Sequence, residues 1–302
     1  MKLRRVINDG RLELQSLAAD GSWVRAEGPS PFGGRVFDAE WETVAAQRHH
    51  ELAGHVLPFQ PASFRDFMLY EHHAIDAARG LVRRFHPGQA RAAGVIEKLT
   101  RKPFPLFKPK PLFYRQPIYY MSNHLSFVPS GTPVAFPSYT AALDFELELG
   151  FVLGAPLHNA TPQEALDAIG AFVVVNDFSA RDVQRSEMAS GLGPQKAKHF
   201  ASSMSAVAVT ADEILPLIDS LTGAVSVNGT RIGTVSTRGM QWSIGELLAH
   251  ASRDDRLYPG ELFATGTLPG GSGMETGRWL RPGDRLTLTI DQIGDISHRI
   301  EE

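Results

Sequence analysis

The stretch "LDFELELGFVLG", residues 143–154, decides how this chain is read. Side chains on a strand alternate with a period of two, so Asp144, Glu146 and Glu148 share one face while Phe145, Leu147, Leu149 and Phe151 share the other. One reading is a half-solvated antiparallel strand with its polar face in water. Against it, no Lys or Arg interleaves to relieve three like charges, and "GFVLG" is apolar on both faces, as if the strand runs into the interior. Buried carboxylates need a counter-charge. Hard divalent cations supply one and prefer oxygen ligands, and two glutamates at i and i+2 can reach one ion together.

A second stretch, "AFVVVNDFSARDVQ" (171–184), predicts a buried strand ending at Asp177 and then a helix. Ser179 and Asp182 have the spacing of a capping box, and Arg181 and Gln184, three apart, share a helical face. The alternative is a plain strand-to-helix turn with solvated polar residues. Upstream, "SFRDFMLYEHHAIDAARGLVRRF" (63–85) spaces its apolar residues helically at Phe64, Phe67, Met68, Ile75, Ala78, Leu81 and Val82. Ser63 is its expected N-cap and Gly88 lies beyond its expected end.

Residues 103–140, rich in proline and aromatics, are expected to be extended segments and loops. "TPQEALDAIGAFVVVND" (161–177) reads as a capped helix and a short strand. Beyond about residue 205 strands dominate. "VSVNGTRIG" (225–233) carries an Asn-Gly hairpin signal, and "LYPGELFATGT" and "LRPGDRLTLTI" are strands fed by Pro-Gly turns. The first 60 residues hold short strand-like pieces ("KLRRVI", "LELQSLAA", "GSWVRAE") and a Gly/Pro-rich "GPSPFGG". They are expected to form a small β-rich unit, with a catalytic domain over 61–302. The class is α+β, mostly β.

Composition narrows the chemistry. With 302 residues, 43% hydrophobic and 21% charged, the chain suits a soluble globular fold. It has no cysteine, which removes disulfides, a thiolate nucleophile and Cys-ligated zinc, so a metal would have to be held by carboxylates and imidazoles. The net charge of −3 with no basic run argues against nucleic-acid or membrane partners. The basic start "MKLRRVINDGRLEL" lacks the apolar run of a signal peptide, and no transmembrane-length apolar stretch follows, so a cytoplasmic location is expected.

The pairing of E-x-E in "LDFELELGFVLG" with N-D-x-S-A-R-D-x-Q in "VVVNDFSARDVQ" resembles the fumarylacetoacetate hydrolase family, over roughly residues 60–290. The resemblance implies a rolled mixed β-sheet core with peripheral helices, a homodimer, and one divalent cation (Mg, Ca or Mn) held by Glu146, Glu148 and Asp177. Longer family hydrolases carry a fourth carboxylate seven residues before a catalytic histidine, an interval matched by Asp66 and His73. Positions i and i+7 lie two turns apart on one helix face, so Asp66 is open to two roles, metal ligand or helix cap. The family interval selects His73 over His72. The histidine's partner sits in a Gly-rich stretch after a G-T pair, which "ATGTLPGGSGMETGRWLRPGD" (264–284) matches with Thr267 and Glu275. Short-chain relatives take both groups from a mobile lid segment, which keeps Glu71 open. Lys198, with Lys196 as its alternative, fits the family lysine. Ser202 stands where hydrolases often carry threonine, and Tyr120 where relatives have a substrate-facing tyrosine. Asn123 replaces the arginine of the animal-type hydrolases, which speaks against fumarylacetoacetate itself as substrate.

The reaction so implied is hydrolysis of a C–C bond in a 1,3-dicarbonyl (diketo or acylpyruvate-type) acid. His73 would be the base that activates water and Glu275 would orient it, while Arg181, Gln184 and Lys198 would donate to developing charge. Tyr120, Thr267 and Ser202 would contact the small-molecule diketo acid. The rival readings are a 2-oxo acid decarboxylase, tautomerase or hydratase on the same scaffold, and a metal-binding protein without turnover.

Overall fold

The computed structural model describes residues 1–9, 11–26 and 56–302. The "GPSPFGG" segment lies outside these residues. Among them, an 11-stranded sheet dominates. Its strands, in chain order, are β1 (Lys2–Asn8), β2 (Arg11–Leu17), β3 (Trp23–Arg25), β4 (Ser63–Phe67), β5 (Tyr119–Ser122), β6 (Phe127–Pro129), β7 (Glu146–Leu153), β8 (Ile169–Asp177), β9 (Ser202–Met204), β10 (Val207–Thr210) and β11 (Glu261–Ser272). The spatial order is β3-β2-β1-β10-β8-β7-β11-β4-β5, with β9 on β8 and β6 on β9. The pairs β4–β11 and β6–β9 are parallel and the others antiparallel, giving the mixed sheet of an α+β fold. β1–β3 extend one edge of this sheet through the β1–β10 pairing.

Alternation on the central strands sorts the core. Leu147, Leu149, Phe151 and Leu153 of β7 face one apolar cluster, shared with a second sheet that includes Thr222–Val227, Thr230–Ser236, Arg285–Ile290 and Gly294–Glu301. The opposite face of the main sheet carries Phe64, Val152, Val173, Val175, Leu262 and Ala264. On that same face, nearer one end, stand Asp66, Glu146, Glu148 and Asp177, because each is an even number of residues from those apolar positions. The half-solvated reading of 143–154 therefore fails: β7 is buried on both faces. The Asn-Gly hairpin forms as expected, with Asn228 and Gly229 both at positive φ (54° and 77°).

The segment at 63 departs from its helical reading. Ser63–Phe67 is β4, and the helix, α1, spans Glu71–Phe85 with Tyr70 at its N-cap. Phe64 and Phe67 satisfy a helical spacing, yet they point to opposite faces of the sheet, one into each cluster. Pairing with both β11 and β5 outweighs the local pattern. Ser63 donates to Glu261 (2.8 Å) and does not cap a helix, so Asp66 is not a helix cap and the two-turn relation between Asp66 and His73 does not exist. Gly88 lies inside a second helix, Pro87–Thr100, that follows directly. The 103–118 stretch contains two 3-10 turns, Pro105–Phe107 and Pro111–Tyr114.

Two further helices frame the site: α2 (Arg181–Ser190) and the one-turn α3 (Gly273–Thr276). The Ser179–Asp182 box is absent. Ala180 is the N-cap of α2, Ser179 donates to the carbonyl of Asp177, and Asp182 accepts from Thr140 and from the Ala141 N–H. α1 lies against α3 at Gly80, where a Cβ would stand 1.9 Å from the Met274 carbonyl oxygen. Position 80 is two turns beyond His73 on the same face, so this close approach sets His73 beside α3. Gly80→Ala should therefore force the helices apart and lower stability by about 1–3 kcal/mol. Thermal denaturation checks this, and an unchanged Tm would mean that the two helices do not meet there.

Candidate metal centre and active site

The acids converge because neighbouring strands end at the same level. Glu148 lies opposite Val175 of β8 and Thr267 of β11, Asp66 opposite Ala264 of β11 and Tyr120 of β5, and Asp177 opposite Ser202 of β9. Gly266 makes this register possible. It sits at a register shift in β11 with φ +76°, and a Cβ there would lie 2.2 Å from the Phe67 carbonyl oxygen. Between Asp144 and β7 the strand breaks at Phe145, and the Glu146 N–H donates to the Asn176 side chain (3.1 Å).

Asp66, Glu146 and Glu148 each place one carboxylate oxygen within 4.8 Å of the others, and all three are buried. Asp66 Oδ1 and Glu148 Oε2 have no hydrogen-bond partner, which is costly for buried polar atoms unless something else satisfies them. The charge balance points the same way. Asp66, Asp144, Glu146, Glu148, Asp177 and Glu275 all lie in or beside one cavity of about 410 Å³, while the permanent cations lining it are Arg181 and Lys198. An all-oxygen donor set with surplus negative charge fits Mg²⁺, Ca²⁺ or Mn²⁺ better than zinc. A second cleft of about 480 Å³, between Arg115, Trp242 and Arg253, contains none of these acids.

The cations are placed by their own partners. Arg181, 1% exposed, donates from Nε to Asp144 (2.8 Å) and from Nη1 to Gln184 (2.9 Å), with Nη2 2.8 Å from Glu146. Asp144 also accepts from the N–H groups of Gly273 and Met274, so one buried carboxylate ties Arg181 to the first turn of α3. Lys198 Nζ bridges Glu146 and Asp177, 2.7 Å from the latter. Lys196 lies instead over the ring of Tyr139 (4.8 Å).

These neighbours split the acids electrostatically. Burial pushes Glu146 up, but the charges of Arg181 and Lys198 bring it down to about 2. Burial, with the charges of Asp177 and Glu146, raises Asp66 well above the ordinary carboxylate range. Burial, with Asp66, Glu146 and Asp177, does the same to Glu148. Tyr120 is likewise raised, by burial and by Asp177.

On the cavity's other side, His73 Nδ1 stands 3.0 Å from Glu275 Oε2, with side chains 10% and 5% exposed. The Glu275 carboxylate accepts from the Gly270 N–H (3.0 Å) and from Ser272 (2.9 Å). His72 is exposed. Glu71 accepts from Tyr114 on the surface, so the structure pairs His73 with Glu275 and not with Glu71. The remaining expected residues are placed unevenly. Tyr120 and Thr267 line the cavity, donating to Asp177 and to Glu148 (3.4 Å) respectively. Ser202 is fully buried and donates to Asp177 (3.2 Å), behind the acid. Asp177 is held by Lys198, Tyr120 and Ser202 and stands beside the three-acid cluster. Asp144's hold on Arg181 and α3 was not anticipated; its place on the E-x-E face was the one signal available.

Residues 88–301 match the model of the family described as Fumarylacetoacetate (FAA) hydrolase C-terminal. Among curated proteins, a 2,4-didehydro-3-deoxy-L-rhamnonate hydrolase from Sphingomonas sp. (strain SKA58) is 32% identical over 171 residues, 56% of this chain and 59% of that protein. An uncharacterized protein of Staphylococcus aureus (strain USA300) is 34% identical over 159 residues, 52% of each chain. The chain thus spans little more than half the length of the curated relatives it matches. Among solved structures, a fumarylacetoacetate hydrolase from psychrophilic Exiguobacterium antarcticum superposes with TM-score 0.69 at 22% identity, over 100% of this chain and 99% of that one. A 5-carboxymethyl-2-hydroxymuconate delta-isomerase from Mycobacterium smegmatis gives 0.66 at 19% identity, over 100% and 98%. Among the described residues no helix is long and apolar enough to cross a membrane.

Crowding fixes the sign of two outcomes. A carboxyl raised in the native state holds a proton that the unfolded chain releases. Its contribution is therefore most favourable in acid and is lost as pH rises from the unfolded value toward the native one. Glu148→Gln should then raise the Tm of the metal-free protein at neutral pH and should abolish the Tm increase expected of the wild type with Mn²⁺. A variant less stable than wild type in EDTA would contradict this. Because Asp66 and Glu148, both raised above the ordinary carboxylate range, must shed protons to bind a cation, wild-type Mn²⁺ affinity should rise as pH increases above that range, measured by calorimetry.

Proposed function

The chain belongs to the fumarylacetoacetate hydrolase family, and from that premise we propose that it is a metal-dependent hydrolase of a C–C bond in a 1,3-dicarbonyl carboxylic acid. The observation that carries this reading is the buried His73–Glu275 pair facing the Asp66, Glu146 and Glu148 cluster across one cavity. A tautomerase or decarboxylase on such a scaffold does not require a water-activating base, and a protein without turnover would have no use for the pair. Residues 61–302 form the proposed catalytic unit, and the proposed assembly is a homodimer.

In this mechanism Asp66, Glu146, Glu148 and Asp177 would hold one Mg²⁺, Ca²⁺ or Mn²⁺. Such an ion supplies Lewis acidity toward paired carbonyl oxygens when bound. Glu275, fixed by Gly270 and Ser272, faces Nδ1 of His73 and leaves Nε2 free to take a proton from water. The hydroxide so formed adds to the acyl carbonyl. The bond from that carbon to the central CH2 then breaks, and its electron pair passes to the remaining 2-oxo acid as an enolate. Returning the proton to carbon gives a carboxylic acid and a methyl ketone. For an acylpyruvate the ketone is pyruvate. Arg181, Gln184 and Lys198 would receive the substrate carboxylate and the oxygen on which charge builds.

His73→Ala should keep the Mn²⁺-induced Tm shift and lose about 10²–10⁴-fold in kcat. His72→Ala should remain active. The assay follows the loss of enol absorbance of acylpyruvates with Mg²⁺ or Mn²⁺. An active His73→Ala would remove the pair from the reaction.

A further inference from the structure

Resting on the hydrolase reading, one feature of the cavity speaks to the part of the substrate that does not react. Its cationic groups are all at the floor, and each is engaged by another residue of the site. Arg181 is held by Asp144, Glu146 and Gln184, Lys198 by Glu146 and Asp177, and His73 faces Glu275. Much of the rest of the lining is apolar, including Met68, Ala74, Ala77, Ile118, Met188 and Pro194, and its uncharged polar groups are Tyr119, Tyr120, Gln184 and Thr267. The change from charged to apolar can be followed along α2. Arg181, Gln184 and Met188, at i, i+3 and i+7, share one face that runs from the buried floor to an exposed methionine (56%) at the mouth. On α1, His73 is followed on its cavity side by Ala74 and Ala77, small residues that leave room rather than supply donors. Among the described residues lining the cavity, no cation is left for a second carboxylate. Asn123 accepts from the Leu125 N–H and does not line the cavity.

We propose that the acyl group cleaved from the dicarbonyl acid is an uncharged apolar tail, alkyl or aryl, lying along Ala74, Ala77 and Ile118 and reaching Met188. The reacting end, with its single carboxylate and paired carbonyls, is taken by the charged floor. A tail ending in a carboxylate would lie against methionine and proline with no counter-charge, whereas an apolar tail gains from covering the same apolar surface.

The test compares kcat/KM for acetylpyruvate, pentanoylpyruvate, benzoylpyruvate and succinylpyruvate with Mn²⁺. Pentanoylpyruvate and succinylpyruvate are similar in length and differ in whether the end is charged. Pentanoylpyruvate should exceed acetylpyruvate by about fourfold per buried methylene, and should exceed succinylpyruvate by roughly tenfold or more. Met188→Lys, at an exposed position, should narrow or reverse the pentanoyl-to-succinyl ratio. A wild-type preference for succinylpyruvate overturns the proposal while leaving the hydrolase reading intact. A ratio unmoved by Met188→Lys overturns the placement of the tail. No turnover of any member sinks both readings together.

Discussion

The molecule gathers more negative charge at one end of its main sheet than its own side chains neutralise. Six carboxylates lie in or beside one cavity with two permanent cations. Such a surplus is unfavourable in a dry interior unless protons or a bound cation relieve it. The protein divides the load unevenly. Arg181 and Lys198 both attach to Glu146 and keep it ionised, leaving Asp66 and Glu148 as the pair with raised pKa and unpartnered oxygens. The place for a cation is thus defined by which acids the cations leave uncompensated.

The scaffold makes this tolerable by spending one sheet face on two jobs. Residues in the same alternation phase are apolar along most of β4, β7, β8 and β11 and acidic near one end, so the acids rest on a rigid, close-packed floor. The His73–Glu275 pair is assembled differently. Its histidine comes from α1 and its glutamate from α3, and their separation depends on helix packing at Gly80, on the Ser272 N-cap, and on Asp144 gripping the first turn of α3. Asp144 also holds Arg181, so the position of Glu275 and the electrostatics of Glu146 are coupled through one buried carboxylate.

What could be read from the chain follows this division. Glu146 and Glu148 were legible as sharing one strand face, and Asp177 as a strand end, because these are local patterns; that the three meet on one buried face depends on the pairing of two strands, and only the family resemblance pointed to it. The hairpin at Asn228–Gly229 was legible for the same reason. The strand at Ser63–Phe67 was not, because its spacing satisfies a helix as well, and only pairing with β11 and β5, distant in sequence, selects the extended form. Asp182 shows the same limit: the capping spacing was present, but the loop at Thr140 and Ala141 competed for the carboxylate and won. Glu275 had no local signature. It belongs to a one-turn helix whose position is set by Gly80 and Asp144, and only the family pattern pointed to it.

The split between a charged floor and an apolar mouth has a consequence for how the site works as a unit. Electrostatic interactions at the floor strengthen as water leaves, because the local dielectric falls. Asp66 and Glu148 are least favourable as ions when least solvated. An occupant that covers Ile118 and Met188 with apolar surface would exclude water from the mouth at the moment when its carbonyl oxygens offer the floor new partners. Binding energy gained at the unreactive end would then strengthen donors aimed at the reacting end. That division of labour requires the mouth to carry no charge of its own, and its described lining carries none.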